Sequence, residues 1–164
     1  DNGWLRNVIV KQGSVMVEPY YNKVKDFGME FVSDGNGSVS YIGLSLFQTS
    51  NGAYTGNILA SEEEKENLIS RYIPIDLLKT VQQKICAKMG SWLKDQYTGV
   101  FGIDMMVVRR DDGDGFLLHP CVEINLRRTM GHVAISLTEL TSGLPKLMKI
   151  EYDSNIYKMK IIKR

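Results

Sequence analysis

Two apolar segments separated by an acidic, glycine-containing turn constrain the fold more than any other feature of the sequence. Residues 100–109 and 116–126 are mostly apolar, and residues 111–115 between them read DDGDG. Asp-Gly pairs are typical of tight turns because glycine tolerates positive φ. The turn lacks the ligand spacing and the distal Glu of a calcium loop. We therefore predict an antiparallel β-hairpin here.

Polar side chains interrupt both strands of this predicted hairpin. Glu123, Asn125 and Arg127 are spaced two residues apart, so in a strand they project from one face. Asp104 is the only acid in the segment GIDMMVV, where a carboxylate is costly to bury unless it is paired or bound to a metal. Folding the hairpin about Gly113 places Asp104 nearly opposite Glu123, although a one-residue slip in register would separate them.

The chemistry of these side chains suggests a cation and an anion in the same place. A carboxylate and an amide oxygen side by side suit a hard cation such as Mg²⁺, and an adjacent Arg suits a phosphate. The alternative is an edge strand whose polar residues merely face solvent. That alternative would not explain why Asp104, an acid, lies within an apolar strand.

The remaining patterns predict an α+β fold, with a mostly antiparallel sheet and helices packed on one face. Ser61 and Glu64 form a capping box that starts a helix. Residues 48–57 (QTSNGAYTGN) are predicted to be a loop, of the kind that often contacts ligands. Further helices are predicted at residues 4–12, 75–94 and 133–140, and strands at residues 15–18, 28–32, 38–47, 58–60 and in the basic tail 147–164.

Composition sets limits on the class of protein. The 164 residues are enough for a single domain with a real core; 43% are hydrophobic and 24% charged, as in ordinary globular chains. The net charge of +1 is spread along the chain, so we expect no nucleic-acid partner, and no apolar run is long enough to predict a membrane span. Cys86 and Cys121 lie among apolar neighbours, which predicts buried, reduced thiols and a cytoplasmic location.

The order of these features resembles the later part of the nucleotide-binding unit of the ATP-grasp superfamily. That family has an acid on one strand followed by Glu-x-Asn-x-Arg on the next, as Asp104 and residues 123–127 are here. It also has an acid-led segment between its two lobes, which residues 17–21 (VEPYY) resemble. The resemblance covers roughly residues 14–140 and implies an ATP-grasp-like C-terminal lobe.

The resemblance also implies roles for particular residues. Three of them would hold Mg²⁺, with Mn²⁺ as a possible substitute, between ATP phosphates: Asp104, Glu123 and Asn125. Arg127 would be catalytic, facing the transferred phosphoryl group or the acyl-phosphate that it creates. The adenine or ribose would be contacted by Glu18, Tyr20 and Tyr21, although Pro19 stands where several family members have Lys.

The activity that the resemblance implies is ligation. An ATP-grasp ligase activates a carboxylate as an acyl-phosphate, which an amine or a thiol then attacks; the carboxylate here is unidentified. The family's lysine-bearing strand and glycine-rich loop have no counterpart before Glu18, and the chain opens on Asp1-Asn2-Gly3. We therefore expect a fragment that lacks the parent protein's N-terminal lobe and has weak or absent turnover. The alternative is a non-catalytic nucleotide-binding or assembly module with the same fold.

Overall fold

A computed structural model describes residues 2–50, 53–140 and 145–163. Within these ranges the chain forms four helices and eight strands, and every strand pairing is antiparallel. The predicted α+β class with antiparallel sheet is therefore confirmed. The helices are α1 Asn2–Gln12, α2 Glu62–Ile69, α3 Ile75–Leu93 and α4 Met130–Leu140. The strands are β1 Lys23–Ser33, β2 Val39–Ser45, β3 Phe47–Ser50, β4 Ala53–Leu59, β5 Gly99–Arg109, β6 Phe116–Asn125, β7 Lys146–Asp153 and β8 Ile156–Lys163.

The strands form two four-stranded sheets rather than one. The first, which we call sheet A, has the order β2-β1-β5-β6, and the second, sheet B, has the order β3-β4-β7-β8. The central strands of sheet A are long because their alternation puts large apolar side chains on one face at every second residue. That face carries Phe27, Met29, Phe31, Phe101, Ile103 and Met105, all nearly inaccessible to solvent.

Helix α3 covers this apolar face of sheet A. Its stripe of apolar residues packs into the same core cluster, with Leu78, Met89 and Leu93 buried. The helix continues through Gly90, where a Cβ would lie 2.5 Å from the carbonyl oxygen of Gly37. Glycine is thus needed at that position for close approach, and it does not break the helix.

Helix α4 lies on the other, polar face of sheet A. His132 near its start contacts Glu30 of β1, while Ala134 packs with Leu59 of β4 and Met148 of β7 in a second core cluster. The helix therefore connects sheet A with sheet B. Among the described residues, no helix is both long and apolar enough to span a membrane.

Three secondary-structure predictions were wrong. Residues 15–18 form no strand: Met16 and Val17 are more than four-fifths exposed and have no neighbouring strand to pair with. The predicted loop 48–57 was wrong for its described residues, because 48–50 and 53–57 belong to the paired strands β3 and β4; residues 51 and 52 lie outside the described ranges. Helix α4 begins at Met130, three residues before the predicted start at 133, and its predicted end at residues 142–143 lies outside the described ranges.

Other predictions were close to the structure. The capping box of Ser61 and Glu64 is present, with both reciprocal hydrogen bonds. The predicted helix 75–94 is α3, and the predicted tail strand is the hairpin of β7 and β8. Both cysteines are free, but Cys121 is exposed on edge strand β6, so its predicted burial was wrong.

Candidate functional site

The register of sheet A brings the predicted site residues together. Asp104 of β5 pairs with Glu123 of β6, and Gly102 pairs with Asn125 two residues along. The predicted pairing of the two acids is therefore confirmed, and both lie on the polar face because their neighbours Ile103 and Ile124 take the opposite one. β6 ends at Asn125, so Arg127 lies just beyond the strand.

These residues line a cavity of about 250 Å³ between the polar face of sheet A, sheet B and the start of α4. Sheet B contributes Phe47, Thr49 and Tyr54, two of which belong to the predicted ligand-contacting segment 48–57. The cavity is lined by Glu30, Ser45, Phe47, Thr49, Tyr54, Asp104, Glu123, Asn125, Arg127, Thr129, Met130 and Gly131.

A short chain of hydrogen bonds links three of the predicted residues. The Asn125 amide donates from Nδ2 to Asp104 Oδ2 at 3.3 Å, and its Oδ1 accepts from the Arg127 guanidinium at 2.8 Å. Asn125 is buried, whereas Arg127 is exposed. The Asn125 amide therefore links the carboxylate of Asp104 to the guanidinium of Arg127.

The acids of the cavity carry more negative charge than their neighbours neutralise. Burial, together with the charges of Glu123 and Glu30, raises the pKa of Asp104 to about 6. Asn125 and Arg127 act oppositely and only in part. A carboxyl group perturbed in this way by neighbouring acids in a cleft is typical of a binding or catalytic site.

A divalent cation fits this donor set. Carboxylate and amide oxygens are the ligands that Mg²⁺ takes, and its charge would remove the repulsion among the acids. Over residues 2–50, 53–140 and 145–163, however, no three His, Cys, Asp or Glu side chains already converge on one point as metal ligands. A cation would therefore have to draw these side chains inward.

The start of α4 also lines the cavity and presents backbone N–H groups near it. The Thr129 hydroxyl accepts hydrogen bonds from the backbone N–H groups of Gly131 at 3.1 Å and His132 at 3.4 Å. Backbone N–H groups at a helix start favour anions, as a guanidinium does. Arg127 and the start of α4 thus line the same cavity as the acids.

Sequence reasoning missed Glu30, which lies among the acids of the cavity. It is 2% exposed, on β1, and pairs in register with Gly102. The signal was available, since Glu30 is an acid within the apolar segment FGMEFV, as Asp104 is within GIDMMVV. Its contact with His132 joins residues more than one hundred positions apart, which no local pattern reveals.

The residues predicted to contact adenine or ribose lie next to this cavity and not in it. Glu18 and Tyr21 line a separate cavity of about 70 Å³ together with Met106, which is two residues from Asp104 on the same face of β5. The ring of Tyr21 meets that of His119 edge-on, with centroids 5.4 Å apart. Tyr20 is fully exposed and lines neither cavity.

Several solved structures are similar in fold to this chain. One is a protein assigned to the ATP-grasp superfamily from Archaeoglobus fulgidus, with 15% identity over 85% of this chain and 45% of its own, at a TM-score of 0.49. Another is N5-carboxyaminoimidazole synthetase from Staphylococcus aureus, solved with ADP and without it. It shares 14% identity over 81% of this chain and 36% of its own, at a TM-score of 0.46.

The chain spans less than half the length of each of these proteins. No protein-family profile and no curated protein matches the sequence. The likeness concerns the fold, and the proposals below rest on the side chains of the cavity.

Proposed function

We propose that this chain carries the metal and phosphate part of an ATP-dependent ligase site of the ATP-grasp kind. The parent protein would activate a carboxylate as an acyl-phosphate for attack by an amine or a thiol. The observation that carries the proposal is the distribution of charge in one cavity. Acids on β5 and β6 line the same cavity as Arg127 and the start of α4, so a cation and a phosphate would each find an opposite charge.

The acidic side would bind Mg²⁺, or Mn²⁺ in its place. Asp104 and Glu123 would supply carboxylate oxygens, and Asn125 an amide oxygen. When bound, the ion would neutralise phosphate charge, which is the main requirement of phosphoryl transfer. Asn125 Oδ1 now accepts from Arg127, so its use as a ligand would release the guanidinium toward the phosphate.

The nucleotide would extend from the phosphates along the polar face of sheet A. Glu18 and Tyr21 line the adjoining cavity at Met106, so adenine or ribose binding there is compatible with their positions. Tyr20 is exposed and would have to turn inward to take part. We assign Arg127 the catalytic role, because it is the guanidinium that lines the phosphate side of the cavity.

We expect weak or absent ligase turnover from this chain alone. The proposed site holds metal ligands and one Arg, and further contacts to the phosphates would come from the other lobe of the parent protein. Robust carboxylate-dependent ATP hydrolysis by the 164-residue chain would contradict this expectation.

A non-catalytic nucleotide-binding or assembly module is the alternative. Calorimetric titration with ADP separates the two, performed once with Mg²⁺ and once with EDTA. The ligase proposal predicts that ADP binds at least tenfold more weakly without the metal, since the acids of the cavity would repel the phosphates. ADP binding that is indifferent to metal would favour the non-catalytic module.

A further inference from the structure

Glu30 is the most deeply buried acid of the cavity, and its position is created by two glycines. A Cβ at Gly102 would lie 2.5 Å from Glu30 Oε2 and 2.8 Å from the Thr129 side chain. A Cβ at Gly131 would also collide with Glu30 Oε1. The carboxylate therefore lies across Gly102, pointing from β1 toward the Asn125 and Asp104 side of the sheet.

The Oε2 atom of Glu30 is buried and makes no hydrogen bond. The Nδ1 atom of His132 lies 2.9 Å from this oxygen. That Nδ1 is also 3.2 Å from the backbone N–H of Thr129, which donates to it, and the opposite Nε2 is 3.4 Å from the carbonyl of Phe31. This arrangement suits a neutral imidazole with its proton on Nε2. The unprotonated Nδ1 then has no hydrogen to donate to Glu30 Oε2.

Burying a carboxylate oxygen without a partner is costly, because the oxygen loses its hydration and gains no hydrogen bond in exchange. A site that keeps such an oxygen has a use for it or binds something that satisfies it. Glu30 lies near further acids, because its charge and that of Glu123 both act on Asp104. A cation bound among these acids would give the buried oxygen a partner.

We propose that Glu30 is an additional ligand of the divalent cation that Asp104 and Glu123 would bind. This inference depends on the proposed function, because it deepens the same metal site. A Cβ at Gly28 would lie 3.4 Å from Asp104 Oδ1 and 3.7 Å from Glu30 Oε1, so these two oxygens are no more than about 7 Å apart.

Oxygens bound to one Mg²⁺ are separated by at most about 4.2 Å, twice the usual bond length. Among the described residues no three acidic, His or Cys side chains already converge on one point, so the half-buried Asp104 would move toward Glu30, which is held in place against Gly102 and Gly131. His132 would act as a positioning residue, because it packs against the carboxylate and holds it over Gly102. Glu30 thus supplies a rigid ligand, and the residues of the hairpin close around the ion.

Direct Mn²⁺ binding to the full chain, measured by electron paramagnetic resonance without nucleotide, tests the proposal. Glu30→Gln keeps the shape of the side chain and removes its charge; we expect at least a tenfold loss of Mn²⁺ affinity. The new amide can donate to His132 Nδ1, so the variant should melt at the wild-type temperature or above. Asp26→Asn is the matched control: it lies on the same strand, pairs with Lys23 and should bind Mn²⁺ as wild type does.

The outcomes separate this inference from the proposed function. Loss of affinity in Glu30→Gln and Glu123→Gln, with Asp26→Asn unchanged, would support both. Wild-type affinity in Glu30→Gln with loss in Glu123→Gln would overturn the role of Glu30 and leave the metal site intact. Absence of Mn²⁺ binding to the wild-type chain would overturn both.

Discussion

Asp104 and Glu123 lie directly opposite each other on the antiparallel strands β5 and β6, with both carboxylates on the polar face of sheet A. Like charges directly opposite in a sheet are destabilising. Burial adds to the cost at Asp104 and raises its pKa to about 6. This pair of acids therefore lowers the stability of the fold, and a cation bound between them, as we propose, would offset that cost.

The first prediction concerns pH and stability. The pKa of Asp104 is about 6 in the folded chain and about 3.8 as a free carboxyl, so the folded state binds this proton more tightly. Its contribution to the free energy of unfolding therefore falls as pH rises from about 4 through 6. Asp104→Asn should melt at a higher temperature than wild type at pH 7.5, and this advantage should disappear near pH 4. Asp111→Asn, in the exposed turn, should show no such dependence.

The second prediction separates the roles of Arg127 and the acids. Arg127 holds the pKa of Asp104 down, and it competes for Asn125 Oδ1. Arg127→Ala should therefore bind Mn²⁺ alone as tightly as wild type or more tightly, while its affinity for Mg²⁺·ADP should fall at least tenfold. Arg128→Ala, the neighbouring exposed residue, is the control and should change neither affinity. A parallel loss of both affinities in Arg127→Ala would refute the assignment of Arg127 to the phosphate.

The third prediction tests whether Gly102 leaves the space that the Glu30 carboxylate occupies. Gly102→Ala would place a methyl group 2.5 Å from Glu30 Oε2, and we expect it to destabilise the fold by about 1–3 kcal/mol, as overpacking usually does. In a Glu30→Ala background the same substitution should cost measurably less, because the colliding carboxylate is absent. Chemical denaturation of the four variants of this cycle measures the coupling. Additive costs would mean that the carboxylate does not occupy the space over Gly102.

The hairpin of β5 and β6 could be predicted from the sequence because its determinants are local. The alternation of apolar residues and the DDGDG turn indicate the hairpin itself. The pairing next to the turn, with Arg109 opposite Phe116, would by itself place Asp104 opposite Cys121. An irregularity between Asp104 and Met106 shifts the register by two residues and brings Asp104 opposite Glu123, which the turn does not reveal. The hairpin of β3 and β4 could not be predicted in this way. Its residues are small and polar, and the outer strand β3 has only four of them, so its strand character depends on sheet B, where β4 pairs with the distant β7.

The inner part of the site depends on contacts that are remote in sequence. Glu30 reaches the cavity only because Gly102 of β5 lies opposite it and Gly131 lies at the start of α4. Each glycine is unremarkable in the sequence, and its importance appears once the strands are paired. The types of side chain suggested the metal and phosphate roles, the resemblance to ATP-grasp proteins added ATP as the ligand, and all of these remain predictions.

Thermal denaturation with nucleotide and metal tests the central claim most directly. If Asp104 and Glu123 bind the cation that carries the nucleotide, saturating Mg²⁺·ADP should raise the melting temperature of the wild-type chain, with about 2.7 kcal/mol of stabilisation at a hundredfold excess over Kd. Neither Mg²⁺·ADP on Asp104→Ala or Glu123→Ala, nor ADP with EDTA on wild type, should produce this shift. An equal shift in all of these samples would contradict the account.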